Sequence, residues 1–256
     1  MHLFPIPAFN DNYIWILHDG ARALVVDPGE ASGVAAYVRE HQLVLDTILI
    51  THHHGDHTGG VAELREATGA QVVGPASEPM PEPLQRVHDG DAIDVLGLRF
   101  EVISVPGHTL GHIAYHCPAV DNAPLLFCGD TLFSAGCGRL FEGTPAQMLR
   151  SLSRLAALPG NTRVCCTHEY TLANLRFALA VEPGNSDLVR HADHCRQLRA
   201  QHQPTLPSSI DLERRINPFL RADVGAVAAS ARAYNPACGS DVTEVFATLR
   251  EWKNHF

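Results

Sequence analysis

The sequence contains no long apolar run. No stretch of about eighteen consecutive apolar residues occurs, so a membrane-spanning helix is not expected. The amino-terminal residues, Met1 to Pro5, include neither the basic flank nor the apolar run of a secretory signal. We therefore expect a soluble, cytoplasmic protein with no membrane partner.

Basic residues are scarce as well. The chain has 19 Lys and Arg against 28 Asp and Glu, a formal net charge of −9, and no Lys/Arg cluster interrupts that balance. Because nucleic-acid binding depends on a basic surface, no nucleic-acid partner is expected, and an anionic small substrate would need local cations. The seven cysteines include no Cys-x-x-Cys pair, and their odd number favours reduced thiols over a disulfide framework.

The order of apolar runs and turns predicts two parts. Through about residue 168, short β-branched runs alternate with Gly, Pro, Asn and Asp turns, which is typical of a layered α/β arrangement. The predicted strands are 13–17, 23–26, 47–51, 71–73, 100–105, 125–128 and 163–167. Helices are predicted at 58–68 and from Thr144, where a capping Thr is followed by Pro145 and, three residues on, by Gln147.

From residue 170 onward the strand pattern stops. Helices are predicted at 170–181, 186–202, 210–216 and 241–252, the last opened by an Asp241/Glu244 cap. No long polar linker or internal repeat intervenes, so we expect the second part to pack directly on the first. The predicted division is a catalytic domain of residues 1–168 and a helical domain of residues 169–256.

Histidine is the compositional anomaly, with sixteen residues. One segment joins a strand to a helix through closely spaced metal-ligand types, namely His52, His53, His54, Asp56 and His57. In extended backbone, side chains at i and i+2 share a side, so His52 and His54 converge while His53 points away. Gly55 lets the chain turn and brings Asp56 and His57 toward a second ion. The segment predicts a metal site, because so many imidazoles are costly to bury otherwise.

Three further ligand types each follow an apolar strand: His108 after 100–105, Asp130 after 125–128 and His168 after 163–167. Sites in open sheets lie at the carboxyl ends of strands, so one shared site is expected. Five other histidines are expected to be structural or surface residues: His53, His112, His116, His191 and His194. Of these, His53 and His112 would orient a metal ligand.

Two adjacent divalent ions predict hydrolysis, since such a pair activates water and polarises the group that water attacks. The sequence has no Gly-x-Ser-x-Gly elbow, which argues against a serine nucleophile. Histidine and carboxylate ligands suit zinc, iron and manganese alike.

The pattern His52-x-His54-x-Asp56-His57, with His108, Asp130 and His168, resembles the metallo-β-lactamase superfamily. The resemblance implies an α/β fold, an αββα sandwich with a smaller C-terminal helical domain. It also implies two divalent metal ions per chain, with zinc expected first and iron or manganese as alternatives. The first ion would be held by His52, His54 and His108, and the second by Asp56, His57 and His168. Asp130 would bridge the two.

Within that superfamily the whole chain resembles the glyoxalase II, or hydroxyacylglutathione hydrolase, family. The motifs are Asn10-Asp11-Asn12-Tyr13, Val26-Asp27-Pro28-Gly29, Gly129-Asp130-Thr131-Leu132-Phe133, Gly136-Cys137-Gly138-Arg139, Glu142-Gly143-Thr144, His168-Glu169-Tyr170-Thr171, Val181-Glu182-Pro183-Gly184-Asn185, Asn217-Pro218-Phe219 and the final Arg250-x-x-Lys253. This resemblance implies hydrolysis of S-(2-hydroxyacyl)glutathione, such as S-D-lactoylglutathione, to a 2-hydroxy acid (D-lactate) and glutathione. That reaction is the second step of methylglyoxal detoxification, with a metal-bridging hydroxide as nucleophile.

The same resemblance implies residue roles. Asp56 and Asp130 would be catalytic, and the glutathione part of the substrate would be held by Arg139, Phe141, Tyr170, Arg250 and Lys253. The cations would pair with the glutathione carboxylates. Arg139 stands where many members have Lys, and Phe141 where Tyr is common, so one hydroxyl contact to substrate is missing. A monomer is expected.

Several alternatives stay open from the sequence. An iron-dependent glutathione persulfide dioxygenase shares the fold, but those relatives lack the Arg250/Lys253 ending. A β-lactamase would present a cysteine ligand and would be secreted, and a nuclease of the superfamily does not suit the acidic balance. A non-catalytic metal-binding module would have lost ligands, whereas all seven positions are occupied here.

Overall fold

The computed structural model describes residues 1–256, and none of its helices is long and apolar enough to cross a bilayer. Two six-stranded sheets account for most of the strands. The first sheet has the spatial order β1 (His2–Ala8), β2 (Asn12–His18), β3 (Arg22–Val26), β4 (Val44–Leu49), β5 (Gln71–Pro75) and β6 (Gln85–Val87). The second contains β7 (Ala92–Val95), β8 (Leu98–Ser104), β9 (Ile113–Val120), β10 (Ala123–Gly129), β13 (Arg163–Cys166) and β14 (Ser208–Ser209).

The other elements are a small ribbon and the helices. The ribbon pairs β11 (Leu132–Phe133) with β12 (Gly136–Cys137). The helices are α1 (Ser32–Glu40), α2 (Gly55–Thr58), α3 (Val61–Thr68), α4 (Pro145–Ala156), α5 (Thr171–Val181), α6 (Ser186–Ala200), α7 (Ile210–Ile216), α8 (Gly225–Tyr234) and α9 (Val242–Asn254). A 3-10 turn at Pro218–Leu220 follows α7.

Strand β2 shows why the molecule is layered, because both of its faces are buried. Trp15 and Leu17 belong to the apolar cluster that fills the space between the two sheets. Ile14 and Ile16, on the opposite face, pack in a second cluster with Val34 of α1 and with α3. The αββα sandwich with C-terminal helices is therefore confirmed.

The helix predicted at 58–68 is wrong at its start, since α2 ends at Thr58 and α3 begins only at Val61. The break falls at Gly59 and Gly60. A Cβ on Gly60 would lie 2.4 Å from the carbonyl carbon of Glu30, so only glycine permits this approach of the two chain segments. The break separates the ligand-bearing turn at α2 from the amphipathic helix that follows.

The predicted capping box at Thr144 is confirmed, whereas of the predicted Asp241/Glu244 cap the structure forms the Asp241 half. Thr144 and Gln147 form a reciprocal capping box at the start of α4. Asp241 caps α9 by accepting a hydrogen bond from the Thr243 backbone N–H at 2.8 Å.

The C-terminal helices share a core with the sandwich. The main apolar cluster includes Leu152 of α4 together with Phe219 and Phe246 from the helical part. The Asn217 amide donates hydrogen bonds to the carbonyls of Phe133 and Gly136, at 3.1 and 2.9 Å. The helical part thus packs directly on the sandwich, and the division at residue 168 stays a prediction.

We expect Glu213→Ala to lower the free energy of unfolding by about 3 kcal/mol. The Glu213 side chain is fully buried and accepts hydrogen bonds from the Ala135 backbone N–H at 2.8 Å, from the Asn217 amide at 3.0 Å and from the Ser208 hydroxyl. The truncation leaves the Ala135 N–H and the Ser208 hydroxyl without this acceptor, and the Asn217 amide keeps only the carbonyls of Phe133 and Gly136. Urea unfolding measures the effect, and Glu66→Ala on the exposed face of α3 is the control; equal stability of the two variants would contradict the prediction.

The carboxyl ends of four strands meet on one edge of the sandwich. In the second sheet, β8 and β10 are both antiparallel to β9, and β13 is parallel to β10, so all three end on the same side. In the first sheet, β4 ends nearby, and the Thr51 carbonyl accepts a hydrogen bond from the Ile113 backbone N–H at 3.0 Å. This edge carries the predicted ligands.

Candidate metal centre

The first group of donor atoms comes from three histidines on two loops. His54 Nδ1 lies 3.0 Å from His52 Nε2 and 3.0 Å from His108 Nε2. Their donor atoms all lie within 4.8 Å of one another. The structure therefore brings together the three imidazoles predicted for one ion.

The second group lies beside it. Asp56 Oδ2 is 3.6 Å from His57 Nε2 and 3.5 Å from His168 Nε2. His57 and His168 are buried, whereas the Asp56 side chain is 42% exposed. These three residues are the set predicted for the other ion.

Asp130 lies between the two groups. Its Oδ1 is 3.5 Å from His57 Nε2 and 3.3 Å from His168 Nε2, and its Oδ2 is 3.4 Å from His108 Nε2. One carboxylate oxygen thus faces each group. This is the placement that a bridging ligand requires.

Polar contacts on the far side of the rings orient three of the histidines. His108 Nδ1 lies 2.8 Å from the Arg139 carbonyl, which accepts its proton and leaves Nε2 as a lone-pair donor toward the centre. His168 Nδ1 lies 2.9 Å from Asp11 Oδ1, and His57 Nδ1 lies 3.0 Å from Asp27 Oδ2. Each contact fixes the ring that bears the inward-facing nitrogen.

The electrostatics of the protein alone are those of a cation site. Burial opposes the charge on Asp130, but His57, His168 and His108 hold the pKa of its carboxyl well below the usual range. Burial likewise lowers the pKa of His57, but Asp130 and Asp27 outweigh it and raise that pKa to about 9. Positive charge is therefore favoured at this point, and a divalent ion would supply it in place of the proton.

On the inner side of the centre, two buried atoms have no hydrogen-bond partner within the protein, His57 Nε2 and Asp130 Oδ1. Both face the shared space between the two groups. A buried polar atom without a partner is costly, and a metal ion would satisfy both atoms. The residues thus fit a pair of divalent ions with nitrogen and oxygen ligands, a set that suits zinc, iron or manganese.

A cavity of about 470 Å³ opens beside His108 and Asp130. Its lining includes all five residues predicted to bind substrate, Arg139, Phe141, Tyr170, Arg250 and Lys253. The cavity has the size of a small-molecule site, and its cations are local exceptions on an acidic protein.

These five residues are not equally available to a ligand. The Arg250 side chain is buried, donates to the Cys137 carbonyl at 2.8 Å and lies 5.0 Å above the Phe219 ring. Arg139 and Phe141 are exposed, and the Phe141 ring lies 5.2 Å from that of His108. Arg250 is therefore placed to shape the wall, and the exposed side chains are placed to reach a ligand.

Tyr170 and Lys253 both line the cavity. The Tyr170 ring stacks on His168 with centroids 4.6 Å apart. Burial and the nearby carboxylates, Asp11 first among them, raise the pKa of Tyr170 to about 12, so its hydroxyl remains a donor at neutral pH. The Lys253 ammonium donates to the Ala173 carbonyl at 3.3 Å. A phenol and an ammonium are thus available for an anionic ligand.

Comparison with known proteins identifies the relatives of the chain. The model of the family described as "Metallo-beta-lactamase superfamily" matches residues 8–168, and that described as "Hydroxyacylglutathione hydrolase C-terminus" matches residues 169–256. A hydroxyacylglutathione hydrolase of Albidiferax ferrireducens is 62% identical over 256 residues, covering 100% of both chains. The chain belongs to the hydroxyacylglutathione hydrolase family. Relatives of the same name from Pseudomonas aeruginosa and Cupriavidus taiwanensis are 58% and 52% identical, each covering 98% of this chain and of its own.

Solved structures agree on the fold. ETHE1 from Myxococcus xanthus is 25% identical with a TM-score of 0.66, covering 99% of this chain and 98% of its own. TTHA1623 in a di-iron-bound form is 27% identical with a TM-score of 0.62, covering 85% of this chain and 100% of its own. The BLEG-1 B3 metallo-beta-lactamase, at 22% identity and a TM-score of 0.65, covers 86% of this chain and 99% of its own and shows the fold alone.

Sequence reasoning assigned no role to two carboxylates that this family member uses around its centre. Asp27 is 2% exposed and accepts from the Thr51 backbone N–H and hydroxyl, both at 2.7 Å, as well as facing His57. Asp11 faces His168. Asp27 directly follows strand β3, which is the signal that identified Asp130, whereas Asp11 lies in a turn with no such signal.

The histidines expected outside the ligand set lie outside both donor groups. His53 Nδ1 is 2.9 Å from Glu78 Oε2, and His112 Nε2 accepts from the Asp130 backbone N–H at 3.1 Å. Each thus contacts a ligand loop without facing the shared space. His116 pairs with Glu101 on the second sheet.

Proposed function

We propose that this protein hydrolyses the thioester of S-(2-hydroxyacyl)glutathione, with S-D-lactoylglutathione as substrate and D-lactate and glutathione as products. The observation that carries the proposal is the cation-lined cavity, which opens directly beside Asp130 and His108. A substrate whose anionic tripeptide fills that cavity would present its thioester to the two donor groups. The names of the relatives support the same substrate class.

In this proposal His52, His54 and His108 would hold one ion, Asp56, His57 and His168 would hold the other, and Asp130 would serve both. Zinc is the metal that we propose for both sites. When bound, a pair of divalent ions lowers the pKa of water toward neutrality and polarises the carbonyl that it attacks. Asp130 would stay ionised at neutral pH beside the two positive ions, and it would orient the attacking water by accepting a hydrogen bond. The Asn12 amide fixes Asp56 by donating to its Oδ2 at 3.1 Å.

The helical part supplies the glutathione end of the site through Tyr170, Arg250 and Lys253, and Arg139 and Phe141 complete it from the sandwich. The Lys253 ammonium and the Arg139 guanidinium pair with carboxylates of the tripeptide, and the Tyr170 hydroxyl donates to it. Arg250 supports this end by holding the Cys137 carbonyl. We also propose a monomer as the working unit.

We expect Lys253→Ala to raise KM for S-D-lactoylglutathione about ten- to a hundredfold, since a charge-assisted hydrogen bond is lost, with kcat changed less than about threefold. The Lys253 ammonium lies on the cavity wall and is assigned to the glutathione part of the substrate, not to the reacting carbonyl. Its loss therefore weakens binding of the substrate and of the transition state alike. Steady-state kinetics measure the two parameters. A fall in kcat with unchanged KM would contradict this role.

The same lysine predicts a pH dependence. Burial, together with Arg250, Arg176 and Arg139, lowers the pKa of Lys253 to about 8. The ammonium is therefore present below that pH and is lost as pH rises through it, so kcat/KM is expected to fall across pH 8. Lys253→Arg is the matched control, because a guanidinium stays charged there. Identical alkaline profiles for the wild type and Lys253→Arg would contradict the prediction.

The direct test of the function is hydrolysis by purified, zinc-loaded protein, followed as loss of the thioester absorbance of S-D-lactoylglutathione. Rapid loss that a chelator abolishes is expected. The alternative of a glutathione persulfide dioxygenase is not favoured by the relatives, and oxygen uptake with glutathione persulfide measures it. Oxygen uptake without thioester loss would overturn the proposal.

A further inference from the structure

Glu78 is a buried carboxylate outside both donor groups. Its side chain is 3% exposed, although it lies in the loop between β5 and β6. Oε2 accepts from the His53 backbone N–H at 2.6 Å and lies 2.9 Å from His53 Nδ1. Oε1 accepts from the Gly111 backbone N–H at 3.1 Å and from the Thr109 hydroxyl. All four contacts are therefore made to two other loops.

Those two loops carry the first donor group. His53 lies between His52 and His54 in the sequence, and Thr109 directly follows His108. The loops are about fifty residues apart along the chain, yet their three inward-facing nitrogens must lie within a few ångströms to share one ion. The two oxygens of Glu78 hold one loop each and so fix their separation.

Glu78 is itself fixed by its surroundings. The Arg86 guanidinium donates to the carbonyls of Ala76 and Glu78, at 3.1 and 3.2 Å, and so anchors the loop. A Cβ on Gly111 would lie 2.4 Å from Glu78 Cγ, so the glycine allows the loop to close on the side chain. Because the Glu78 carboxylate is fixed in place, the groups that donate hydrogen bonds to it are held in place as well.

We propose that Glu78 is a positioning residue that sets the geometry of the first metal site. The inference rests on the proposed ligand roles of His52, His54 and His108. A carboxylate is required because each oxygen receives hydrogen bonds, and an amide would place an N–H₂ donor against the donors of one loop. We expect Glu78 to act chiefly on the first site, because both loops that it joins carry first-site ligands, whereas Asp56 and His57 share only the His53 loop and His168 lies on neither.

Glu78→Gln is the variant that tests the proposal, and its readout is zinc affinity. Metal-free protein is titrated with zinc against a chromophoric chelator. The titration is repeated in an Asp56→Ala background, in which the first site is measured by itself. We expect first-site affinity to fall about ten- to a hundredfold, as is typical when the partner of a metal-ligand loop is removed. Affinity at the second site is expected to stay within about twofold.

Glu66→Gln is the control. This exposed glutamate of α3 is outside the loops that Glu78 holds and is not a partner of Arg86, so its replacement removes a charge of the same sign without touching the ligand loops. Its zinc affinities should equal those of the wild type. Equal losses in both glutamine variants would overturn the inference, because a general charge effect would then suffice.

The following results also decide the matter. Unchanged first-site affinity in Glu78→Gln, or equal weakening of both sites with a lower melting temperature of the metal-free protein, overturns the inference. If Glu78→Gln does not fold, Thr109→Val is used in its place, because it removes one hydrogen-bond donor to Glu78 and keeps the shape of the side chain. Zinc affinity at the first site that is several-fold weaker in Thr109→Val supports the inference. Unchanged zinc affinity at that site overturns it. If the wild-type protein binds fewer than two zinc ions, the proposed ligand roles and this inference are both overturned. If the wild-type protein binds two ions and Glu78→Gln leaves both zinc affinities unchanged, the inference alone is overturned.

Discussion

Asp130→Asn is expected to lower kcat/KM for S-D-lactoylglutathione by at least about 10³-fold, or about 4 kcal/mol of transition-state stabilisation. The reason is the position of the carboxylate between both donor groups, with one oxygen toward His108 and the other toward His57 and His168. An asparagine keeps the shape but turns an N–H₂ donor toward one of these groups and removes the negative charge. Both sites should therefore lose affinity for a divalent ion.

Steady-state kinetics and metal content together measure this effect. The Asp94→Asn variant is the control, because that aspartate is 72% exposed and pairs only with Arg99. Its activity and metal content should match the wild type. Asp130→Asn with two ions bound and turnover within tenfold of the wild type would contradict the bridging role.

Asp56→Ala is expected to have the second-largest effect, lowering kcat/KM about 10²- to 10³-fold and halving the metal content. Asp56 belongs only to the group with His57 and His168, so its removal should spare the ion held by His52, His54 and His108. Loss of one ion then leaves the water and the thioester carbonyl with a single positive partner.

The contrast with Asp130→Asn makes the result informative. Metal analysis should give one ion per chain for Asp56→Ala, with the first site close to its wild-type affinity. Turnover near that of the wild type would show that one ion suffices. Loss of both ions would show that the two groups are not separable, and the division of ligands proposed here would be wrong.

The ligand-bearing segments could be predicted because their signals are local. The spacing of His52 and His54 in extended backbone, and the position of Asp130 directly after an apolar strand, require no knowledge of the rest of the chain. The helix caps at Thr144 and Asp241 are equally local. The assembly of the fold, by contrast, was available only through family resemblance, since alternation of strands does not determine sheet order.

Proline explains two strands that the pattern did not predict. Strand β1 contains Pro5 and Pro7, and the structure places it at the edge of the first sheet, where a missing N–H is tolerated. Strand β9 contains Pro118 but lies inside the second sheet. There the pairing of β9 with β10 shifts its register between the pairs at Val120 and Cys117, so the proline lies at an irregularity of the ladder. The edge position of β1 and the irregularity in β9 both depend on how the strands pair, and the sequence pattern does not show that pairing.

Glu78 shows the same limit for the site. It lies in an irregular loop, and no strand end or motif distinguishes it from the exposed Glu82 four residues on. Its importance follows from the loops that it touches, which are distant in sequence. Contacts of this kind orient the ligands, and they join residues that are far apart in the sequence. No single segment of the sequence therefore predicts them.

The central claim is a thioester hydrolase that needs two metal ions, and it is tested most directly by titrating metal-free protein with zinc while turnover of S-D-lactoylglutathione is followed. The account predicts no turnover without metal and a rise that reaches its plateau at two zinc equivalents per chain. A plateau at one equivalent, or turnover by the metal-free protein, would contradict it.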